Sequence, residues 1–317
     1  MKRILLMVAL VATSLSCIAA KPAKNAENLT RAQRIYAELH NPASKYVLVA
    51  AHRADWRNFP ENSLEAFDSA IKMGVDVIEL DVHRTADGHI VVCHDKTINR
   101  TTNGKGKISE LSLDSIRNCS LRSGHNVVMK RYKMPTLEEA LDLCRGRALI
   151  NIDKGINYYD QIMKMLVERD MVDQVIIKSS KSADMMELFF SKHKENMLYM
   201  PIINYNNKGW EKHKVLFEEY LSTKLPFIAF EMCWNGTLDN EKEVFDKVLK
   251  SGKKLWVNTL WNRLCGGDEN GLEDDEAVLD ADKIYGKVLA YGTSMIQTDR
   301  PQLLIKYLES KGRHTLK

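Results

Sequence analysis

The 317-residue chain has 6 cysteines but no C-x-x-C pair, so the clustered thiolates of a typical zinc site are not on offer. No G-x-G-x-x-G turn follows an early strand, which argues against the dinucleotide crevice of an open doubly wound sheet. Glycine and proline are modest at 16 and 7 residues, and 44% of the chain is apolar, a composition suited to one large core rather than to disorder. The formal net charge of +4 falls to +2 once Lys2 and Arg3 are set aside with an N-terminal leader, so no basic field remains to argue for nucleic acid. No apolar interfacial helix is evident, and no repeat beyond an alternation of strands and helices.

At the N-terminus, Lys2 and Arg3 precede an apolar run over 4–12, too short for a membrane span, and small residues follow through Ala20. This is the pattern of a secretory signal peptide over 1–20, and the expectation is an exported protein, periplasmic or at the cell surface. Leu15-Ser16-Cys17 loosely resembles a lipoprotein processing site, with Ser14 where leucine is usual, so a membrane tether through a lipidated Cys17 stays open beside plain export. Without Cys17 an odd number of cysteines remains, so at least one is unpaired in a monomer; one disulfide is possible, and the sequence does not choose it. Cys93 precedes His94 on a strand and so faces the opposite way, toward a core.

Apolar runs over 46–51, 77–82, 148–152, 175–178, 198–203, 227–231, 255–260 and 295–298 have strand character, and segments of helical period lie between most of them: 62–73, 137–144, 158–168, 182–193, 213–222, 241–250 and 281–291. A last helix is expected from Pro301 to Leu308, proline suiting its first turn. Eight such units predict an α/β fold, a (β/α)8 TIM barrel over 45–312, preceded by an extension over 21–44 that carries a capping helix. A short hairpin and a loop excursion over 99–135, with one helical stretch at 113–119, interrupt the alternation after the second strand and should cover the barrel mouth. The acidic, glycine-rich segment 262–280 lacks the spacing of an EF-hand and reads as a solvated loop.

The chemistry concentrates between residues 51 and 106. In the run 77–83 a period of two puts Glu79 and Asp81 on one face, in phase with Val77 and His83, while Ile78, Leu80 and Val82 face the other way. Two carboxylates that close repel unless a cation or a proton sits between them, which points to a hard divalent ion, Ca²⁺ or Mg²⁺, held through oxygen. The turn 85–88 returns the chain through 89–94 and brings His94 back toward the acids, while His52 closes the first apolar run. Imidazole titrates near neutrality, so these two histidines fit acid and base roles, in an order the sequence does not assign. Arg53, next to His52, is suited to grip an anion through its planar fork.

Barrel enzymes carry their reactive groups at the carboxyl ends of strands. Asp153 ends one such run and is the candidate third metal ligand; Lys154, next along, should point away from it on strand alternation. Lys178 either supplies a cation to the substrate or is a solvated strand end, and Glu231 either contacts substrate hydroxyls or pairs with Lys178. Glu61, within Pro60-Glu61-Asn62, suits the start of a helix.

These blocks, in this order, resemble the glycerophosphodiester phosphodiesterase family: H-R after the first strand, P-E-N, E-x-D-V, T-x-D-G, H-D, and a closing T-D-x-P matched by Thr298-Asp299-Arg300-Pro301. The similarity runs from about Val47 to Leu304. Ala54 stands where the family commonly has glycine, Ser63 replaces threonine, and Asn151-Ile152-Asp153-Lys154 departs from N-I-E-x-K by a shorter acid and a lysine one residue early. The resemblance implies metal-dependent hydrolysis of a small glycerophosphodiester to glycerol 3-phosphate and an alcohol through a cyclic phosphate, with Glu79, Asp81 and Asp153 on the metal, Glu61 near it, His52 and His94 as acid and base, and Arg53, Lys178, Glu231 and Trp261 on the substrate. Trp261 belongs to an aromatic region, 256–261, similar to the family's seventh strand. The alternatives are a barrel phospholipase or sphingomyelinase acting on intact lipids, and an exported binding protein without turnover.

Overall fold

The computed structural model describes residues 29–193, 197–205, 210–234, 241–261, 264 and 271–316; the expected leader lies outside them. Nine strands form: β1 Leu48–His52, β2 Val77–Arg84, β3 Ile90–Val92, β4 Leu149–Asp153, β5 Val175–Ser179, β6 Leu198–Tyr205, β7 Ala229–Trp234, β8 Lys254–Asn258 and β9 Met295–Thr298. Eight of them are parallel, in the order β1-β9-β8-β7-β6-β5-β4-β2, and β1 also pairs with β2, so the sheet closes on itself. The short β3 pairs antiparallel with the end of β2, as the expected hairpin requires. This is the (β/α)8 barrel.

Closure follows from the pattern of two. Outward-facing Ile78, Leu80 and Val82 of β2 join Ile150 and Ile152 of β4 and the apolar faces of the surrounding helices in one large outer core. Inward-facing Leu48, Ala50, Val77, Leu149, Ile176, Met200, Ala229, Trp256 and Met295 fill the lower lumen. One step further along the same phase the lumen turns polar and stays buried, with His52, Glu79, Asn151, Lys178, Glu231, Asn258 and Gln297. The barrel thus ends in a cup of titratable groups on an apolar plug.

The helices begin where their caps allow. Ser63 accepts from the Ala66 N–H to start α2 (Leu64–Met73), and Thr136 with Glu139 forms a capping box on α4 (Leu137–Cys144). The expected helix over 281–291 is broken: Asp282–Gly286 is a π turn, and only Lys287–Ala290 is α-helical. The N-terminal helix is described as α1, Arg31–His40. The excursion is packed rather than loose, because Val91, Cys93, Ile98, Ile108, Ile116, Leu121, Tyr132 and Met134 form a small core of their own. Among the described residues Cys93, Cys119 and Cys144 are free thiols. No helix among the described residues is long and apolar enough to cross a membrane.

At the bottom of the barrel one buried acid ties four segments together. Asp76, immediately before β2, accepts from the Tyr46 hydroxyl at 2.8 Å, the Val49 N–H at 2.9 Å and the Arg31 guanidinium at 3.0 Å, with the His314 ring 3.6 Å away. Replacing Asp76 by alanine leaves the Arg31 guanidinium with carbonyl partners but no counter-charge and leaves the Val49 N–H without its acceptor, and should cost on the order of 3 kcal/mol of stability, as loss of one member of a buried ion pair does. Urea unfolding measures this as a lower midpoint at unchanged slope; an unmoved midpoint contradicts the role.

Candidate active site

The mouth is assembled by register. His52 of β1 lies beside Glu79 of β2, and one layer higher Asp81 of β2 lies beside Asp153 of β4, so three strands deliver four reactive groups to two successive layers of the mouth. Carboxylate oxygens of Glu79, Asp81 and Asp153 lie within 4.8 Å of one another. Burial, followed by the charge of Asp81, pushes the Glu79 carboxyl up. Asp81 goes the other way: burial opposes its ionisation, but the charges of Lys154, His94 and Arg53 outweigh it. Crowded, buried, oxygen-only and short of direct cationic contacts at Glu79, this donor set fits a hard divalent cation.

Two turns of unusual backbone aim the positive groups. Arg53 and Ala54 both have left-handed φ, 51° and 63°, which folds the chain back after β1 so that the Arg53 N–H donates to Glu79 at 3.2 Å. A left-handed position suits glycine, so alanine at 54 carries a strain of roughly 1 kcal/mol that the buried turn must offset. The Arg53 guanidinium reaches Glu61 at 3.2 Å, while its Nε, 3.6 Å from Asp81, is buried without a hydrogen-bond partner and keeps a donor to offer.

Lys154 corrects the expectation from strand alternation. It leaves β4 with φ 63°, which swings its side chain back into the cup, where Nζ donates to Asp81 at 3.0 Å and to the His94 carbonyl at 3.0 Å. Alternation holds only while the backbone stays extended, and at Lys154 it does not. Lys178 is no solvated strand end either: it is buried and pairs with Glu231 at 3.2 Å, and Asn258 donates to the same carboxylate at 2.9 Å. Of the two readings for Glu231, the ion pair is the one observed.

Each histidine is held by a carboxylate. His52 Nδ1 lies 2.8 Å from Asp299, and His94 Nδ1 lies 2.8 Å from Asp95, which leaves Nε2 of each ring for proton transfer. Burial alone would lower the His52 pKa, but the hydrogen bond to Asp299 and the charges of Glu79 and Asp299 prevail and raise it. Asp299 is itself fixed by the Trp56 indole at 2.6 Å, and its backbone N–H donates to Asp274 at 2.6 Å. Asp274, in the segment read as a solvated loop, is buried and also accepts from Thr259, Thr298 and Tyr285 hydroxyls; burial pushes its carboxyl up to about 6. On the other side Arg100 clamps Asp95 at 2.9 Å and Glu61 at 2.6 and 2.9 Å. A cavity of about 650 Å³ opens from His52, Arg53 and Glu61 toward Trp261, and the excursion closes its far side. Trp261 stands edge-on to His52 with centroids 5.9 Å apart.

Asp299, Asp274, Trp56 and Arg100 escaped the sequence reading as working residues. Asp299 was visible only as part of a closing motif, and its pairing with His52 spans almost the whole chain. Asp95 had a signal in its adjacency to His94.

Residues 52–202 match the Glycerophosphoryl diester phosphodiesterase family, and residues 199–308 match a domain of unknown function. A Glycerophosphodiester phosphodiesterase of Caldanaerobacter subterraneus is 40% identical over 141 residues, 42% of this chain and 57% of that protein, so the match spans little more than half of the relative's length. YhdW of Bacillus subtilis is 28% identical over 272 residues, 84% of this chain and 98% of that protein. A glycerophosphoryl diester phosphodiesterase structure from Parabacteroides distasonis superposes with a TM-score of 0.67 at 21% identity, covering 89% of this chain and 93% of that one, and shows the same fold.

If Asp299 raises the His52 pKa, then Asp299→Asn, which removes the charge and the acceptor, should move the His52 titration to lower pH. Ring-proton NMR across neutral pH reads this directly. A His52 midpoint unmoved by the substitution contradicts the pairing.

Proposed function

The chain belongs to the glycerophosphoryl diester phosphodiesterase family, and on that premise we propose that it is an exported phosphoric diester hydrolase that cleaves glycerophosphodiesters to glycerol 3-phosphate and an alcohol. The observation that carries the reading is the arrangement of three close carboxylates between two histidine–carboxylate pairs, with Arg53 beside them. Glu79, Asp81 and Asp153 would hold Ca²⁺ or Mg²⁺, which when bound polarises the phosphate and eases deprotonation of a nearby hydroxyl. Arg53, whose side chain lines the cavity, would give the phosphate oxygens a positive contact.

The remaining work is proton transfer. One imidazole Nε2 takes the proton of the glycerol hydroxyl next to the phosphate, and that oxygen attacks phosphorus. The P–O bond to the alcohol breaks, and the other imidazolium Nε2 gives its proton to the leaving oxygen. Water then opens the cyclic phosphate with the two roles exchanged, yielding glycerol 3-phosphate and restoring both rings. Asp299 and Asp95 keep each ring in the tautomer that presents Nε2. Lys154, bonded to Asp81 and to the His94 carbonyl, holds the metal side of the cup to the His94 side. Lys178 and Glu231 pair within the lumen beside the carboxylate cluster and stiffen the cup.

Hydrolysis of glycerophosphocholine should cease with a chelator and return with Ca²⁺ or Mg²⁺; undiminished turnover of metal-stripped protein contradicts the reading. His52→Ala and His94→Ala should each lose on the order of 10² to 10⁴ in rate. A diester lacking the hydroxyl next to the phosphate should turn over poorly. Equal turnover of that analogue would replace the internal attack by direct attack of water.

A further inference from the structure

The cavity beside His52 has a composition that the hydrolysis itself does not require. None of the three clustered carboxylates lines it; its walls come from the ends of β1 and β9, from Trp261, and from the excursion. It therefore lies beyond the phosphate site, where one of the two ester arms must go. Its two acids are already engaged: Glu61 by Arg53 and Arg100, and Asp299 by His52 and Trp56. An ammonium headgroup would find no carboxylate left to meet it.

Arg122 is different. It projects from the excursion into this wall, its Nε donating to the Thr102 carbonyl at 2.7 Å and one terminal nitrogen to the Asn126 carbonyl at 3.1 Å. Both acceptors are neutral, and among the described residues no carboxylate lies within ion-pair distance of Arg122. The guanidinium is thus fixed by its neighbours and its charge is not compensated. The excursion over 99–135 adds to the field, with eight lysines and arginines against two acids. An aromatic cage for a quaternary ammonium is also missing a wall: the Trp56 ring is stacked by Arg57 at 4.7 Å, and it lies so close to Gly124 that a Cβ there would meet its ring carbons at 3.2 Å.

We propose that this cavity receives the alcohol arm of the diester and that Arg122 selects alcohols bearing an anionic group, a phosphate or a carboxylate, over neutral or cationic ones. The proposal rests on the hydrolase reading and names the substrate class within it. A fixed fork meeting an anion makes charge-assisted bonds that distinguish a charged headgroup from its neutral counterpart by roughly tenfold or more.

The test compares glycerophosphoinositol 4-phosphate with glycerophosphoinositol, two substrates that differ only in the headgroup phosphate, on the full-length protein with its divalent metal. The expected kcat/KM ratio favours the phosphorylated substrate by about tenfold or more, falls toward one in Arg122→Gln, and is largely kept in Arg122→Lys. A wild-type ratio near or below one overturns the proposal. So does an Arg122→Gln variant that slows both substrates equally, which would put the common glycerophosphate arm in this cavity. Should Arg122→Gln fail to fold, the wild-type ratio decides when salt is raised from on the order of 0.05 M to 0.5 M: a falling ratio supports the charge contact and a constant one overturns it. Absence of turnover for every glycerophosphodiester is a separate outcome, which overturns the hydrolase reading and the headgroup proposal with it.

Discussion

Three carboxylates forced together at the mouth of a closed barrel set the terms for everything around them. Glu79 and Asp81 are buried, and Asp153 completes the group within 4.8 Å. Such a cluster cannot stay ionised in a low-dielectric cup without positive charge nearby. Arg53 and Lys154 meet that requirement, and both reach it through left-handed backbone at the ends of β1 and β4. Lys178, bound to Glu231 deeper in the lumen, lends a further positive charge that acts on Glu79 and Asp153. The local strain and the buried lysine thus share one electrostatic cause.

The scaffold makes the cup possible by separating its two duties along the strands. Lower inward positions are apolar and packed, and the Asp76 network locks that end to α1 and to the C-terminal segment. Upper inward positions are free to be polar because the plug beneath already holds the barrel closed. The two histidines flank the acids from opposite sides, and each is steadied by a carboxylate with its own support, Asp299 by Trp56 and Asp95 by Arg100. Glu61 links the sides, because it binds both Arg53 and Arg100. A residue expected at the start of a helix is therefore also the bridge between the β1 turn and the excursion.

Much of this was legible in the sequence, for a definable reason. Strand parity is local, so the facing of Glu79 and Asp81 and the alternation of eight strands could be read from short windows, and α4 and α8, Leu137–Cys144 and Glu241–Lys250, fall where their periodicity puts them. The misreadings come where local rules stop. Lys154 turns inward because its backbone leaves the extended region, which no parity argument anticipates. Asp274 is buried because Thr259, Tyr285 and Thr298 converge on it from three later or earlier segments, whereas its own segment is acidic and glycine-rich. Pairings such as His52 with Asp299 join the first and last strands of the barrel, far apart in the chain, and have no signature in spacing.

On the proposed reading, Glu79, Asp81 and Asp153 together hold a single hard divalent cation. Isothermal titration calorimetry of the metal-stripped protein with Ca²⁺ and with Mg²⁺ tests it without recourse to turnover. One site per chain is expected, abolished or greatly weakened in Glu79→Gln and weakened in Asp153→Asn, because each change removes a charge at nearly constant volume. A titration with no saturable site, or one left unchanged by both substitutions, would contradict it.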